Sequence, residues 1–94
     1  MTFQELVEAT KDIDLDSIGL SLGKPANRIE TLSCYQDGEE WVILGVDDKQ
    51  RVHEQRGKEE DIVRLVYWYI GILLKPMPRV LVWRQIERNK DVHH

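Results

Sequence analysis

The 94 residues carry 17 Asp and Glu against 13 Lys and Arg, a formal charge of −4, with 41% of positions hydrophobic, 32% charged and one cysteine. That length supplies one domain, residues 1–94, and excludes a second, while the apolar share suffices for one modest core and excludes a disordered polymer. The lone Cys34 excludes an internal disulfide and suits a reducing, cytoplasmic compartment, and the longest apolar stretch, 65–74, falls well short of the roughly 20 residues of a membrane span.

The start, Met1 to Glu5, has neither the basic nor the apolar run of a secretion signal, so export by that route is not expected. Thr2-Phe3-Gln4-Glu5 has the spacing of a capping box, in which a Thr hydroxyl and a Glu carboxylate each satisfy a free N–H at a helix start. Phe3, Leu6, Val7 and Thr10 follow at intervals of three and four, predicting a short amphipathic helix that ends near Lys11. Asp12, Asp14 and Asp16 alternate like the opening of a calcium loop. Such a loop needs Gly at its sixth position and Glu at its twelfth, where this chain has Ser17 and Gly23, so a solvated turn or a helix start is expected.

Ile18 to Leu22 alternates apolar with small residues and predicts a first strand, closed by the turn Gly23-Lys24-Pro25. The glycine spacing there is one residue too short for a phosphate-binding loop, and Pro25 stands where a Ser or Thr would bind magnesium. A second strand is predicted over Arg28 to Tyr35, turned by Asp37-Gly38, residues that tolerate positive φ, into a third over Glu40 to Val46. The third is apolar on both faces, which suggests either a central strand or a Trp41 side that meets a partner. Asp47-Asp48-Lys49 turns the chain again into a more polar strand, Gln50 to Gln55, and the short turns predict antiparallel order throughout.

Glu59-Glu60-Asp61 complements the positive end of a helix dipole, and Lys75-Pro76 supplies the opposite charge and the stop. Ile62, Leu65, Val66, Tyr69, Ile70 and Leu73 share one wide face, Arg64, Gly71 and Lys75 share the narrow polar one, and Tyr67, Trp68 and Ile72 flank the stripe. The stretch 78–89 fits a strand by the alternation of Val80 and Val82, and a helix by the spacing of Val80, Trp83 and Ile86; the helix is slightly favoured. His93 and His94 read as a purification-tag remnant. The expected fold is therefore α+β: an antiparallel sheet of three to four strands packed against an N-terminal helix and a long apolar helix, with a further C-terminal helix or strand.

Catalytic and metal chemistry find little support in the residue types. Cys34 and His53 are one thiol and one non-terminal imidazole, which do not make a nucleophilic dyad without an orienting group and fall short of the usual four zinc ligands. Cys34 reads as a small apolar filler and His53 as a sheet-surface residue. Glu39 and Glu40, adjacent on a strand, would point to opposite faces. No cofactor is implied, and an enzyme is not expected.

The charge is unevenly spread, with fifteen acids against seven bases in residues 1–61 and two against six in residues 62–94. An acidic side repels phosphates and so disfavours nucleic acid. It favours a basic protein, whose approach such a field accelerates by about 10 to 10³ fold. The acids Asp37, Glu39, Glu40, Asp47, Asp48, Glu54, Glu59, Glu60 and Asp61, interleaved with Tyr35 and Trp41, are the expected partner-binding surface. Two other readings fit the residues. One is self-association, a homodimer or structural module, through Tyr67, Trp68 and Trp83; the other is nucleic-acid binding by Arg79, Arg84, Arg88 and Lys90, which the rest of the charge opposes.

From Arg28 to Lys75 the order of features is a hairpin with Tyr35, Gly38 and Trp41, a further strand, Gln55-Arg56-Gly57, the acidic start Glu59-Glu60-Asp61 and an aromatic-rich helix. This order resembles the small immunity proteins of bacterial polymorphic toxin systems, including contact-dependent growth inhibition. Those often carry Glu-Arg-Gly before the helix, where this chain has Gln55 in place of the Glu. The resemblance implies a cytoplasmic antitoxin that binds a cognate toxin domain, typically a basic nuclease, and blocks its active site or substrate groove.

Overall fold

A computed structural model describes residues 1–74 and 83–88. The fold is α+β, in the order helix α1 (Phe3–Ala9), a 3-10 turn (Asp16–Ile18), strands β1 (Leu20–Leu22), β2 (Thr31–Asp37), β3 (Glu40–Val46) and β4 (Val52–Gly57), and helix α2 (Glu59–Leu73); residues 83–88 are also helical. Of the stretch 78–89, the remaining positions lie outside the described residues.

α1 opens on the capping box: the Glu5 N–H donates to the Thr2 hydroxyl at 3.2 Å and the Thr2 N–H to the Glu5 carboxylate at 3.1 Å. It ends at Ala9, two residues before the expected Lys11: the Thr10 N–H and hydroxyl both reach the Leu6 carbonyl, at 3.2 and 3.0 Å, whereas the Lys11 N–H turns to the Glu8 carbonyl three residues back at 3.5 Å. Thr10 is buried, as its place in the stripe requires, whereas Val7 is on the exposed side.

The sheet has the order β1-β2-β3-β4 and is mixed, not wholly antiparallel. β2–β3 and β3–β4 are antiparallel, but β1 runs parallel to β2, with Leu20 beside Leu32 and Leu22 beside Cys34. A parallel return ordinarily needs a dozen or more residues. Here β1 is three residues long, so the connection 23–30 has only about 10 Å of strand to retrace. Positive-φ backbone at Gly23 and Glu30 turns it back. The expected first strand is also trimmed, since Ile18 belongs to the 3-10 turn and Gly19, at φ 70°, caps it.

The β2–β3 turn consists of Gly38 and Glu39, one place later than the Asp37-Gly38 pair suggested; Asp37 stays in the strand opposite Glu40. Gly38 alone of the two loop residues has a positive φ, 65°, the arrangement of a hairpin turn with Gly at its first central position.

Unbroken register across β2, β3 and β4 sends alternate residues to opposite faces. Leu32, Cys34, Ile43 and Gln55 lie beneath the helices with Leu20 of β1, and meet Leu6 of α1, Ile62, Val63, Val66, Tyr69 and Ile70 of α2, and Trp83 and Ile86. Tyr35, Val42, Leu44, Val46, Val52, Glu54 and Arg56 point to the other face. α2 opens on the three acids as expected, but it is amphipathic and not the long apolar helix anticipated, since Arg64, Tyr67 and Trp68 are exposed. Val63, outside the anticipated stripe, is fully buried.

The C-terminal helix approaches the sheet at one glycine. A methyl group built on Gly45 would sit 2.5 and 2.8 Å from two carbons of the Trp83 ring. No hydrogen bond or turn requires glycine in the middle of β3, so the close approach of the indole is what selects it. Gly45→Ala is expected to lower the unfolding free energy by about 1–3 kcal/mol, the cost of overpacking, although alanine is the better strand former. Urea unfolding checks this, and an unchanged midpoint would show that the indole swings aside freely.

Candidate interaction surface

The β3–β4 turn is built around a buried carboxylate. Asp47 Oδ1 accepts the backbone N–H of Lys49 at 2.9 Å and of Arg51 at 2.8 Å; Oδ2 receives Arg51 Nε at 3.1 Å and faces His53 Nε2 at 2.9 Å. His53 lies between two acids, for its Nδ1 is 2.7 Å from Glu87 Oε1 on the C-terminal helix. Both contacts are hydrogen bonds only when both ring nitrogens carry hydrogen. The imidazole also lies parallel to the Trp83 indole, 6.0 Å between centroids and 10° between planes. His53 therefore joins the hairpin turn to the C-terminal helix and is not a sheet-surface residue.

A cleft of about 650 Å³ opens beside this cluster, with Arg51, His53, Trp83, Arg84 and Glu87 among its lining. Burial by itself would raise the Asp47 carboxyl. The His53 hydrogen bond, the two backbone N–H groups and the Arg51 charge outweigh it and hold the group well below the usual carboxylate range. Neither nitrogen of His53 faces Cys34, whose thiol burial pushes up to about 12, so the two do not form a dyad. Among the described residues no group of three His, Cys, Asp or Glu is placed to hold a metal ion, and Asp12, Asp14 and Asp16 stand exposed around an ordinary turn.

The residues expected to form one acidic surface divide into several places. Tyr35, Asp37, Glu40 and Glu54 converge around Arg56 on the sheet face that no described helix covers. Its Nε donates to Glu54 at 2.7 Å and its Nη1 to Asp37 at 2.8 Å, with Glu40 at 3.9 Å. The hydrogen bonds from Glu54 and Asp37 raise the Arg56 guanidinium above its usual range. Tyr35 is raised too, by burial and then by the Glu54 charge. Three carboxylates surround one guanidinium, and this patch keeps a net negative charge.

The other expected residues stand apart from it. Trp41 is on the helix-covered face, its ring 5.0 Å from that of Phe3. Glu59 accepts the Phe3 N–H at 2.9 Å and ties the start of α1 to the start of α2. Glu60 pairs with Arg64 at 2.9 Å. Glu39, Asp48 and Asp61 are exposed, Asp48 at the end of the sheet about 20 Å of strand away from Glu40. Asp47, with 4% of its side chain exposed, is spent on internal donors and has no oxygen to offer a partner. Trp83 is likewise buried at 6%, so of the aromatic set proposed for self-association only Tyr67 and Trp68, each about half exposed, remain at the surface. Of the basic C-terminal set, Arg84 and Arg88 are exposed on the helix 83–88, while Arg79 and Lys90 lie outside the described residues.

No described helix is long and apolar enough to cross a membrane. Comparison with known protein families, characterised proteins and solved structures finds no match for the chain.

Asp47 sets a pH dependence whose sign follows from its lowered value. A carboxyl depressed on folding stabilises the native state above its unfolded value, about 3.9, and that contribution is lost as the pH falls toward the folded value. Asp47→Asn is expected to be less stable at pH 7 and to show a shallower loss of stability in acid, measured by urea unfolding from neutral pH downward. An acid limb as steep as that of the parent would assign the loss to other carboxylates.

Proposed function

We propose that this chain is an immunity protein, an antitoxin that binds a cognate toxin domain, with a basic nuclease as the partner its charge fits best. The observation that carries the reading is the convergence of Asp37, Glu40 and Glu54 beside Tyr35 on the sheet face that no described helix covers. Carboxylates in that position stand in for nucleic-acid phosphates and occupy a cationic groove. Tyr35 and Leu44, both half-buried, supply an apolar centre behind them, and an aromatic anchor ringed by charge is the usual anatomy of a tight interface. The order of features from Arg28 to Lys75 supports the same reading through its resemblance to immunity proteins of contact-dependent growth inhibition and related systems.

Binding of this kind buries about 1,200–2,000 Å² and works by occlusion, with no cofactor and no contact with nucleic acid. It would act in the cytoplasm, where the toxin's substrate lies. The Asp47–His53–Glu87 cluster then has a supporting role, since both imidazole nitrogens are engaged with the carboxylates that hold the fold's end together. Charge at the docking face sets the association rate more than the dissociation rate.

The double reversal Asp37→Lys with Glu40→Lys is expected to slow association with the toxin domain encoded by the adjacent gene by about tenfold or more at low salt, with the difference shrinking as salt is added. Stopped-flow binding measures it. An unchanged rate removes this face from the interface, and an adjacent gene without a toxin domain removes the antitoxin reading.

A further inference from the structure

β4 is an edge strand: among the described residues it pairs with β3 alone. Its hydrogen-bonding direction follows from the turn, where the Asp47 N–H donates to the Arg51 carbonyl at 3.0 Å. From that bonded pair the antiparallel ladder alternates, with one-to-one register from Val46–Val52 to Trp41–Gly57 and no bulge. His53, Gln55 and Gly57 therefore bond to β3, and the N–H and C=O groups of Val52, Glu54 and Arg56 point away from the sheet. The strand carries no proline, and Val52 is 58% exposed. An open ladder of this kind is a template for another strand.

Two further observations indicate what that strand is. Glu54 and Arg56 alternate along the edge with opposite charge and point to the same face. Gln55, between them on the helix-covered face, is only 6% exposed, and its Oε1 has no hydrogen-bond partner among the described residues, a costly state for a buried acceptor. We propose that β4 pairs antiparallel with β4 of a second copy of this chain, about a two-fold axis through Gln55, to make one continuous eight-stranded sheet.

That register sets Glu54 opposite the partner's Arg56, and Arg56 opposite the partner's Glu54, each a bonded backbone pair. It brings Gln55 against the partner's Gln55 in the closer, non-bonded kind of pair, with Cα atoms about 4.5 Å apart. Rotation of the two amides then lets each Oε1 accept from the other's Nε2. Moving the axis to Glu54 sets like charges face to face, and moving it to His53 pairs Glu54 with Val52; neither serves Gln55. The inference stands apart from the antitoxin reading. In the dimer the two acidic patches lie on the same face of the joined sheet.

Sedimentation equilibrium of the full chain over a wide concentration range is expected to show a reversible dimer. Amide hydrogen exchange at Glu54 and Arg56 should slow as the protein is concentrated. Glu54→Pro removes an N–H that β3 does not use, so the monomer keeps its ladder while the dimer dissociation constant rises by about tenfold or more. Glu54→Arg, which opposes the partner's Arg56, should weaken the dimer similarly. A chain that stays monomeric, or a dimer that survives both variants and is lost in Trp68→Glu, would overturn the proposal and, in the second case, move the contact to α2. If Glu54→Pro fails to fold, the concentration dependence of exchange in the parent decides: protection at Glu54 and Arg56 that does not rise with concentration overturns it.

Discussion

Register along β3 decides most of what this molecule presents. Because side chains alternate with a period of two, the unbroken pairing of β2, β3 and β4 places Leu32, Cys34, Ile43 and Gln55 under the helices and sends Tyr35, Leu44, Glu54 and Arg56 to the opposite side. A slip of one residue would exchange these sets, burying carboxylates and exposing the core. Gly45 belongs to the same constraint. It stands in the row with Leu32 and His53, and its lack of a side chain admits the Trp83 ring.

The C-terminal helix is held to the sheet by unlike means at one place. Trp83 and Ile86 bury apolar surface, and Glu87 reaches the His53 ring that stacks on Trp83. A buried carboxylate such as Asp47 is expensive to desolvate and repays the cost only when its lone pairs are filled. Here four donors serve two oxygens: two backbone N–H groups, a guanidinium and an imidazole. The result is a turn held by four donors at one end of the β3–β4 hairpin, next to the cross-strand pair of Gly45 and His53.

Acidity in the sequence does not translate directly into a free acidic surface. Several carboxylates are used locally: Asp47 within its turn, Glu59 at the start of α1 and Glu60 with Arg64. On the open sheet face, by contrast, Arg56 is outnumbered by Asp37, Glu40 and Glu54. A guanidinium shared in this way orients the acids without neutralising them. The face keeps its field while Asp37 and Glu54 are hydrogen-bonded to the guanidinium, which lowers the entropic cost of docking those two.

Local signals in the chain determined the capping box of α1, the acidic start of α2, the β2–β3 hairpin, the β3 boundaries and the α+β class. Each depends on residues within a few positions of one another, where spacing alone sets the hydrogen bonds and the buried face. The grouping of Tyr35, Asp37, Glu40 and Glu54 was legible in part, because strand alternation puts them on one side once the pairing is known. Contacts between distant segments were decided only by the tertiary structure. His53 and Glu87 lie 34 residues apart and nothing near either one announces the other. The parallel return of β1, the burial of Asp47 and Trp83, and the separation of Trp41 and Glu59 from the other acids have the same origin. Periodicity specifies which side of an element is apolar, and only packing specifies what that side meets.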